Sequence, residues 1–147
     1  MGLKKDVLKL RVKHTIIIGV IGNDIHVVAN RILARGLREA GYEVCNLGVN
    51  ASPSDFVAAS KEFEASAVVV SSVNGEGEAW VNGLPQLITN ALGDDVVLYV
   101  GGNLAMGDST REMVESRYLD LGFNRAYHRP SSLNILLTDL ARDLVIV

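Results

Sequence analysis

Residues 16–29 read Ile16-Ile17-Ile18-Gly19-Val20-Ile21-Gly22-Asn23-Asp24-Ile25-His26-Val27-Val28-Ala29. The apolar, largely β-branched run reads as a strand covered on both faces. It stops at Gly22-Asn23, and a helix is predicted to begin just after His26. A strand-to-helix turn of this kind presents one imidazole at the mouth of an α/β sheet. Asp24 stands two residues earlier and can accept a hydrogen bond from Nδ1. That bond would fix the tautomer with Nε2 available and raise its basicity as a ligand. His26 is thus suited to holding a metal rather than filling a core.

Outward from this stretch the pattern alternates between strand and helix. Strands are predicted at 15–21, 42–47, 67–72, 96–100 and 125–127. A helix over 28–40 would place Val28, Ile32, Leu33 and Leu37 on one side and stop at Gly41. The next, over 54–64, follows Pro53, with Ser52 or Ser54 as its cap. A third spans 85–91 and ends at Gly93. A fourth spans 109–121, with Asp108 accepting its first free amides and Gly122 ending it. The last is capped by Ser131 or Ser132 and runs to about residue 143. Strand–helix alternation with short connections implies a parallel sheet wound by right-handed crossovers. The expected fold is α/β: a flavodoxin-like (Rossmann-like), doubly wound, five-stranded sheet in the order 2-1-3-4-5. One domain is expected over residues 1–147, with its core at about 15–143.

Bulk composition narrows the function classes. The 147 residues suit one core, and 48% hydrophobic with 21% charged residues is ordinary for a soluble globular chain. A net charge of −3 argues against a general nucleic-acid partner, which would want a basic stripe. The single cysteine, Cys45, excludes an internal disulfide, suits a reducing compartment and is expected to be buried and inert. Basic residues precede the apolar run at 15–22, in the manner of a secretory leader. The run is short and has no small-residue cleavage site, and no apolar stretch nears the roughly 20 residues that cross a bilayer. A cytoplasmic protein with no membrane partner is expected.

In this fold ligands sit beyond the carboxyl ends of the strands, where the first and third strands diverge. After strand one come Gly22 to His26; after strand three come Ser71-Ser72-Val73-Asn74-Gly75-Glu76-Gly77-Glu78; after strand four come Gly101-Gly102-Asn103. Taken alone, an Asp-x-His loop is a solvated turn, a Gly-Gly pair a tight turn, and a Ser-Ser pair at a strand end unremarkable. Together they put glycines, short polar groups and one imidazole at one edge of the sheet, where backbone can approach a large flat ligand. Glu76 and Glu78 are expected to be solvated or to cap the next helix, and His14 to lie on the surface. Trp80 is expected to pack at a helix start or a subunit contact. His128 and Arg129 follow strand five at the same edge and are weaker candidates for a ligand contact.

Familiar uses of this fold fail on residues. A phospho-acceptor receiver needs an Asp ending strand three and a Lys after strand four; a flavodoxin needs a hydroxyl-rich phosphate loop after strand one. Gly19-Val20-Ile21-Gly22 has neither the spacing nor the position of a dinucleotide fingerprint. The pattern instead resembles the cobalamin-binding domain family of B12-dependent mutases and methyltransferases. The motifs of that family are Asp-x-His-x-x-Gly, Ser-x-Leu and Gly-Gly. They stand here as Asp24-Ile25-His26-Val27-Val28-Ala29, Ser71-Ser72-Val73 and Gly101-Gly102. Within the family the chain is most similar to the small, sigma-type subunits of glutamate (methylaspartate) mutases, over about residues 15–140. The stretch from Glu39 to Gly48, Ser71 to Glu78 and Gly101-Gly102-Asn103 carry that likeness.

The resemblance implies a cobalt-bound cofactor, adenosylcobalamin, whose own lower base is displaced. His26 would take that place on cobalt and Asp24 would orient it. The displaced nucleotide tail would thread between the first helix and the sheet, past Ser71, with Gly101 and Gly102 along the tail or under the corrin. It further implies an isomerase in which this chain carries the cofactor. A larger barrel-type subunit would hold the amino-acid substrate and interconvert L-glutamate and 3-methylaspartate by radical chemistry. Ala29 stands where the motif has glycine, Val73 where it has leucine and Asn74 where an aromatic is usual. Residues 128–132 replace a loop often rich in Pro, Gly and Thr. Weaker cofactor binding or a small helix shift is expected from Ala29. Two alternatives remain at this point. One is a corrinoid carrier for methyl transfer, against which stand the mere 14 residues ahead of Thr15, too few for the usual leading helical domain. The other is a cobalamin-binding sensory module without catalysis.

Overall fold

The computed structural model describes residues 14–21, 27–72, 81–105, 110–128 and 132–144. Its strands are β1 (Thr15–Val20), β2 (Glu43–Asn46), β3 (Ala67–Ser72), β4 (Val97–Gly102) and β5 (Arg125–His128). Its helices are α1 (Val27–Glu39), α2 (Pro53–Glu62), α3 (Leu84–Leu92), α4 (Arg111–Asp120) and α5 (Leu133–Asp143). All four strand pairings are parallel, in the order β2-β1-β3-β4-β5, as the alternation predicts.

Period-two alternation sends successive strand residues into two separate apolar layers. One layer collects Ile17, Ile21, Val68, Val70, Leu98 and Val100 with Phe56 and Ala59 of α2, Leu84 and Ile88 of α3, and Val114 and Tyr118 of α4. The other collects Ile16, Ile18, Ala67, Val69 and Tyr99 with Ala34 and Leu37 of α1 and Leu140 of α5. The sheet therefore carries α1 and α5 on one face and α2, α3 and α4 on the other. α1 and α5 come close where Gly36 faces Leu133; a Cβ on Gly36 would lie 2.2 Å from Leu133 Cδ2.

The element ends correct the sequence reading in several places. β4 runs two residues further than expected, so Gly101 and Gly102 are strand rather than loop, paired with Ser71 and Ser72 on one side and Tyr127 and His128 on the other. α4 starts later: Thr110 is its cap and accepts from the Met113 amide at 3.2 Å, while Asp108 lies outside the described residues. Ser52 caps α2 in a reciprocal box with Asp55: the Asp55 amide donates to Ser52 Oγ at 3.1 Å and the Ser52 amide donates to the Asp55 carboxylate at 2.9 Å, and the Ser52 amide first, then its hydroxyl, hold that carboxyl below its ordinary pKa. Ser132 caps α5. Ile32 is 59% exposed, contrary to expectation; Leu37 is buried and Leu33 packs against the core as expected, and Asn30 and Ala34 complete the inward stripe of α1. Cys45 is half-buried rather than buried, and desolvation, then Glu62, pushes its thiol pKa up. His14 is half-buried, with Nδ1 2.8 Å from Ser66 Oγ. Among the described residues no helix is long and apolar enough to cross a membrane.

Candidate cofactor-binding site

The register brings the expected strand residues into one transverse row. Val20 pairs with Ser71, Ser71 with Gly101, and Gly101 with Tyr127. Alternation from Val69 and Tyr99 places Ser71 and Gly101 on the α1/α5 face. A side chain at Gly101 would meet only ordinary contacts, the nearest being Tyr127 Cβ at 3.6 Å. The row is thus low and open where it passes under that face.

Ser72 and Gly102 behave differently. Ser72 follows Val68 and Val70 to the opposite face and is 1% exposed. Its Oγ has no hydrogen-bond partner among the described residues. Gly102 has φ of +118°, and a Cβ there would sit 1.9 Å from the carbonyl oxygen of Ser72. Backbone touches backbone at this point, so only glycine fits. The two serines and two glycines do not form one lining: Ser71 and Gly101 face the α1 side, while Ser72 and Gly102 secure the strand ends.

The loop after β4 is held from below. The Leu104 amide donates to Nδ1 of His128 at 3.1 Å, and the Tyr118 hydroxyl donates to the Leu104 carbonyl at 2.9 Å. His128 is 1% exposed, and its own amide donates to Glu115 at 2.9 Å. Its side chain, a candidate ligand contact on sequence grounds, positions this loop instead. Asn103, the residue before Leu104, is exposed at the edge.

Beneath the same face lies a charged clasp. Arg125 donates from Nε to Asp143 Oδ2 at 2.7 Å and from a terminal nitrogen to Oδ1 at 3.0 Å, and lies 3.5 Å from Asp139. The Tyr99 hydroxyl donates to Asp143, and the Tyr127 hydroxyl donates to Asp139 at 2.7 Å. The Arg125 hydrogen bond holds the Asp143 carboxyl below its usual range, whereas burial first and the carboxylates second raise both phenols well above theirs. Both tyrosines therefore remain protonated donors at neutral pH. The clasp anchors α5 across β4 and β5 next to Gly101.

Sequence reading passed over Asn30. It is 4% exposed on α1, its Oδ1 accepts from Asn46 Nδ2 at 2.7 Å, and its Nδ2 has no acceptor among the described residues. Its signal was the spacing of 30, 34 and 37, hidden because asparagine does not count as apolar and alanine is only weakly so. Val27 and Val28 open α1, and Ala29 in its first turn is exposed. Asp24, Ile25, His26, Val73, Asn74, Glu76, Glu78, Trp80 and Arg129 lie outside the described residues. A depression of about 520 Å³ opens at the opposite, amino end of the sheet, between His14, Lys61, Glu64, Ser66, Asp95 and Asp143. It includes none of the expected site residues.

These features can be tested against a large, flat, amide-rich ligand with a polar tail. An open glycine, Gly101, and the half-exposed Ser71 hydroxyl lie on one face, and α1 carries a buried donor that lacks an acceptor among the described residues. The described residues fit such a ligand.

Comparison with known proteins agrees with this chemistry. The B12 binding domain family model matches residues 14–120. The glutamate mutase sigma subunit of Clostridium tetani is 40% identical over 132 residues, covering 90% of this chain and 96% of that relative. The corresponding subunit of Carboxydothermus hydrogenoformans is 45% identical over 112 residues, covering 76% and 82%. Among solved structures, a cobalamin-binding protein from Desulfitobacterium hafniense superposes with a TM-score of 0.73 at 19% identity. The match covers 97% of this chain and 65% of that one, and at that identity the likeness is one of fold.

Proposed function

The chain belongs to the B12-binding domain family, among the glutamate mutase sigma subunits, and on that premise we propose that it carries adenosylcobalamin for a carbon-skeleton mutase. The observation that supports this most directly is the single register row of Ser71 and Gly101 on the face of α1, the helix that follows Asp24-Ile25-His26.

In this reading His26 holds cobalt through Nε2, and Asp24 fixes its tautomer from the Nδ1 side. Ile25 adjoins His26 in sequence, and Val27, Val28 and Ala29 open the helix against which the cofactor's tail lies. Ser71 offers a hydroxyl to the tail, and Gly101 leaves the floor clear. Ser72, Val73, Gly102 and Asn103 frame the loops on either side. When bound, the cofactor supplies a cobalt–carbon bond whose homolysis yields the radical that the rearrangement requires. The residues of this chain bind and orient; they leave the substrate to another subunit. That partner is a larger barrel-type chain holding a small amino acid, L-glutamate going to 3-methylaspartate, in a cytoplasmic hetero-oligomer, a heterotetramer of the two chain types.

The test is spectroscopic. Adding adenosylcobalamin to the purified chain should shift the absorption to the form in which the cofactor's own base has left cobalt. His26→Ala should abolish that shift while circular dichroism still reports the fold. A variant spectrum identical to wild type would remove His26 as the residue that holds cobalt. Co-purification with a barrel subunit, followed by conversion of L-glutamate, tests the enzymatic half of the reading.

A further inference from the structure

Asn30 is the fourth residue of α1, and its amide orientation is set by its neighbours. Asn46, the last residue of β2, donates its Nδ2 to Asn30 Oδ1 at 2.7 Å, and Asn46 Oδ1 accepts from the Gly48 amide at 2.9 Å. This relay leaves Asn30 Nδ2 directed away from Asn46, in a position with 4% exposure and no acceptor among the described residues. A buried donor without a partner costs about 1–3 kcal/mol, which an apolar residue of the same volume would avoid. An amide kept at that cost is explained by an acceptor that arrives with a ligand.

The location says which ligand. Asn46 lies in register with Ile18, so Asn30 stands over the carboxyl ends of β1 and β2. It stands on the α1 face, which Ser71 and Gly101 also share. Four residues before it is His26. We propose that Asn30 donates a hydrogen bond from Nδ2 to an acceptor oxygen on the nucleotide side of the cofactor, its phosphate or ribose. It would thereby make the chain discriminate complete cobalamin from cobinamide, which lacks that nucleotide. This inference rests on the cobalamin reading above.

The experiment is a pair of titrations, cobalamin and cobinamide, against the wild-type chain, Asn30→Leu and Asn30→Asp. The aspartate variant keeps an acceptor for Asn46 but replaces the donor with a carboxylate, whose charge also repels a phosphate; the leucine variant removes both donor and acceptor without adding charge. Both variants should bind cobalamin about tenfold more weakly, the equivalent of one lost hydrogen bond, and bind cobinamide as wild type does. Thermal melting of the ligand-free chains supplies the structural control, with Asn30→Leu at least as stable as wild type. Equal weakening toward both ligands, or toward neither, overturns the proposal while leaving the cobalamin reading intact. So does a large loss of ligand-free stability in both variants, because it would make Asn30 a structural residue. A wild-type chain that takes up neither ligand overturns both.

Discussion

Gly101 and Gly102 are adjacent, and their substitutions should separate. Alanine at 102 would combine a positive φ with a Cβ 1.9 Å from the Ser72 carbonyl oxygen, and backbone cannot yield there as a side chain can. Gly102→Ala should cost about 3 kcal/mol, visible as a lower urea midpoint, or prevent folding. Gly101→Ala meets nothing nearer than 3.6 Å and should change the unfolding free energy by less than about 1 kcal/mol. If the row is the floor of the groove, the same methyl should weaken cobalamin binding about tenfold in a titration followed by absorption. A Gly101→Ala chain that binds normally would remove the floor from the site.

The clasp on α5 belongs to the scale of elements. It joins the end of a helix to two strands through one guanidinium, two carboxylates and two phenols, with the rings of Tyr99 and Tyr127 edge to face at 5.7 Å. Because Arg125 depresses the Asp143 pKa from 3.8, the contribution of Asp143 is fully present above pH 3.8 and is lost as pH falls through the lowered value. Asp143→Asn should cost about 2 kcal/mol at pH 7, where it leaves Arg125 with Asp139 at 3.5 Å as its charged partner in the clasp. The gap between variant and wild type should narrow below pH 3.8, which urea midpoints at pH 7, 4 and 3 would show. A gap that stays constant with pH would mean that the bond geometry, rather than the charge, holds α5.

Element type was legible wherever one physical rule dominated. The apolar runs of β1 and β3 can only be strands buried on both faces, and β3 has the expected bounds, Ala67–Ser72. Ends were less legible because several residues could do the same job. Asp108, Ser109 and Thr110 all have capping side chains, and only the geometry of the Met113 amide selects Thr110. Gly101 and Gly102 look like a turn, yet the flanking strands capture both. In the site, the motif residues were legible as types in sequence, but the faces of Ser71 and Ser72 emerge only from register. Asn30 and His128 were missed or misread because their partners, Asn46 and Leu104, are distant in the chain.

At the scale of the whole molecule, the two edge strands have four residues each, and the three strands between them have six. Native-state hydrogen exchange should therefore be slowest at Ile16 to Ile18, Val68 to Val70 and Leu98 to Val100, where opening requires global unfolding. Amides of Val44 and Cys45 should exchange faster through local fraying. Uniform rates across all five strands would contradict this ordering.

The two helical layers do unequal work. Most of the apolar mass lies beneath α2, α3 and α4, away from the face that bears Ser71 and Gly101. The larger part of the hydrophobic core is therefore built on the side of the sheet that a ligand on the opposite face would leave untouched.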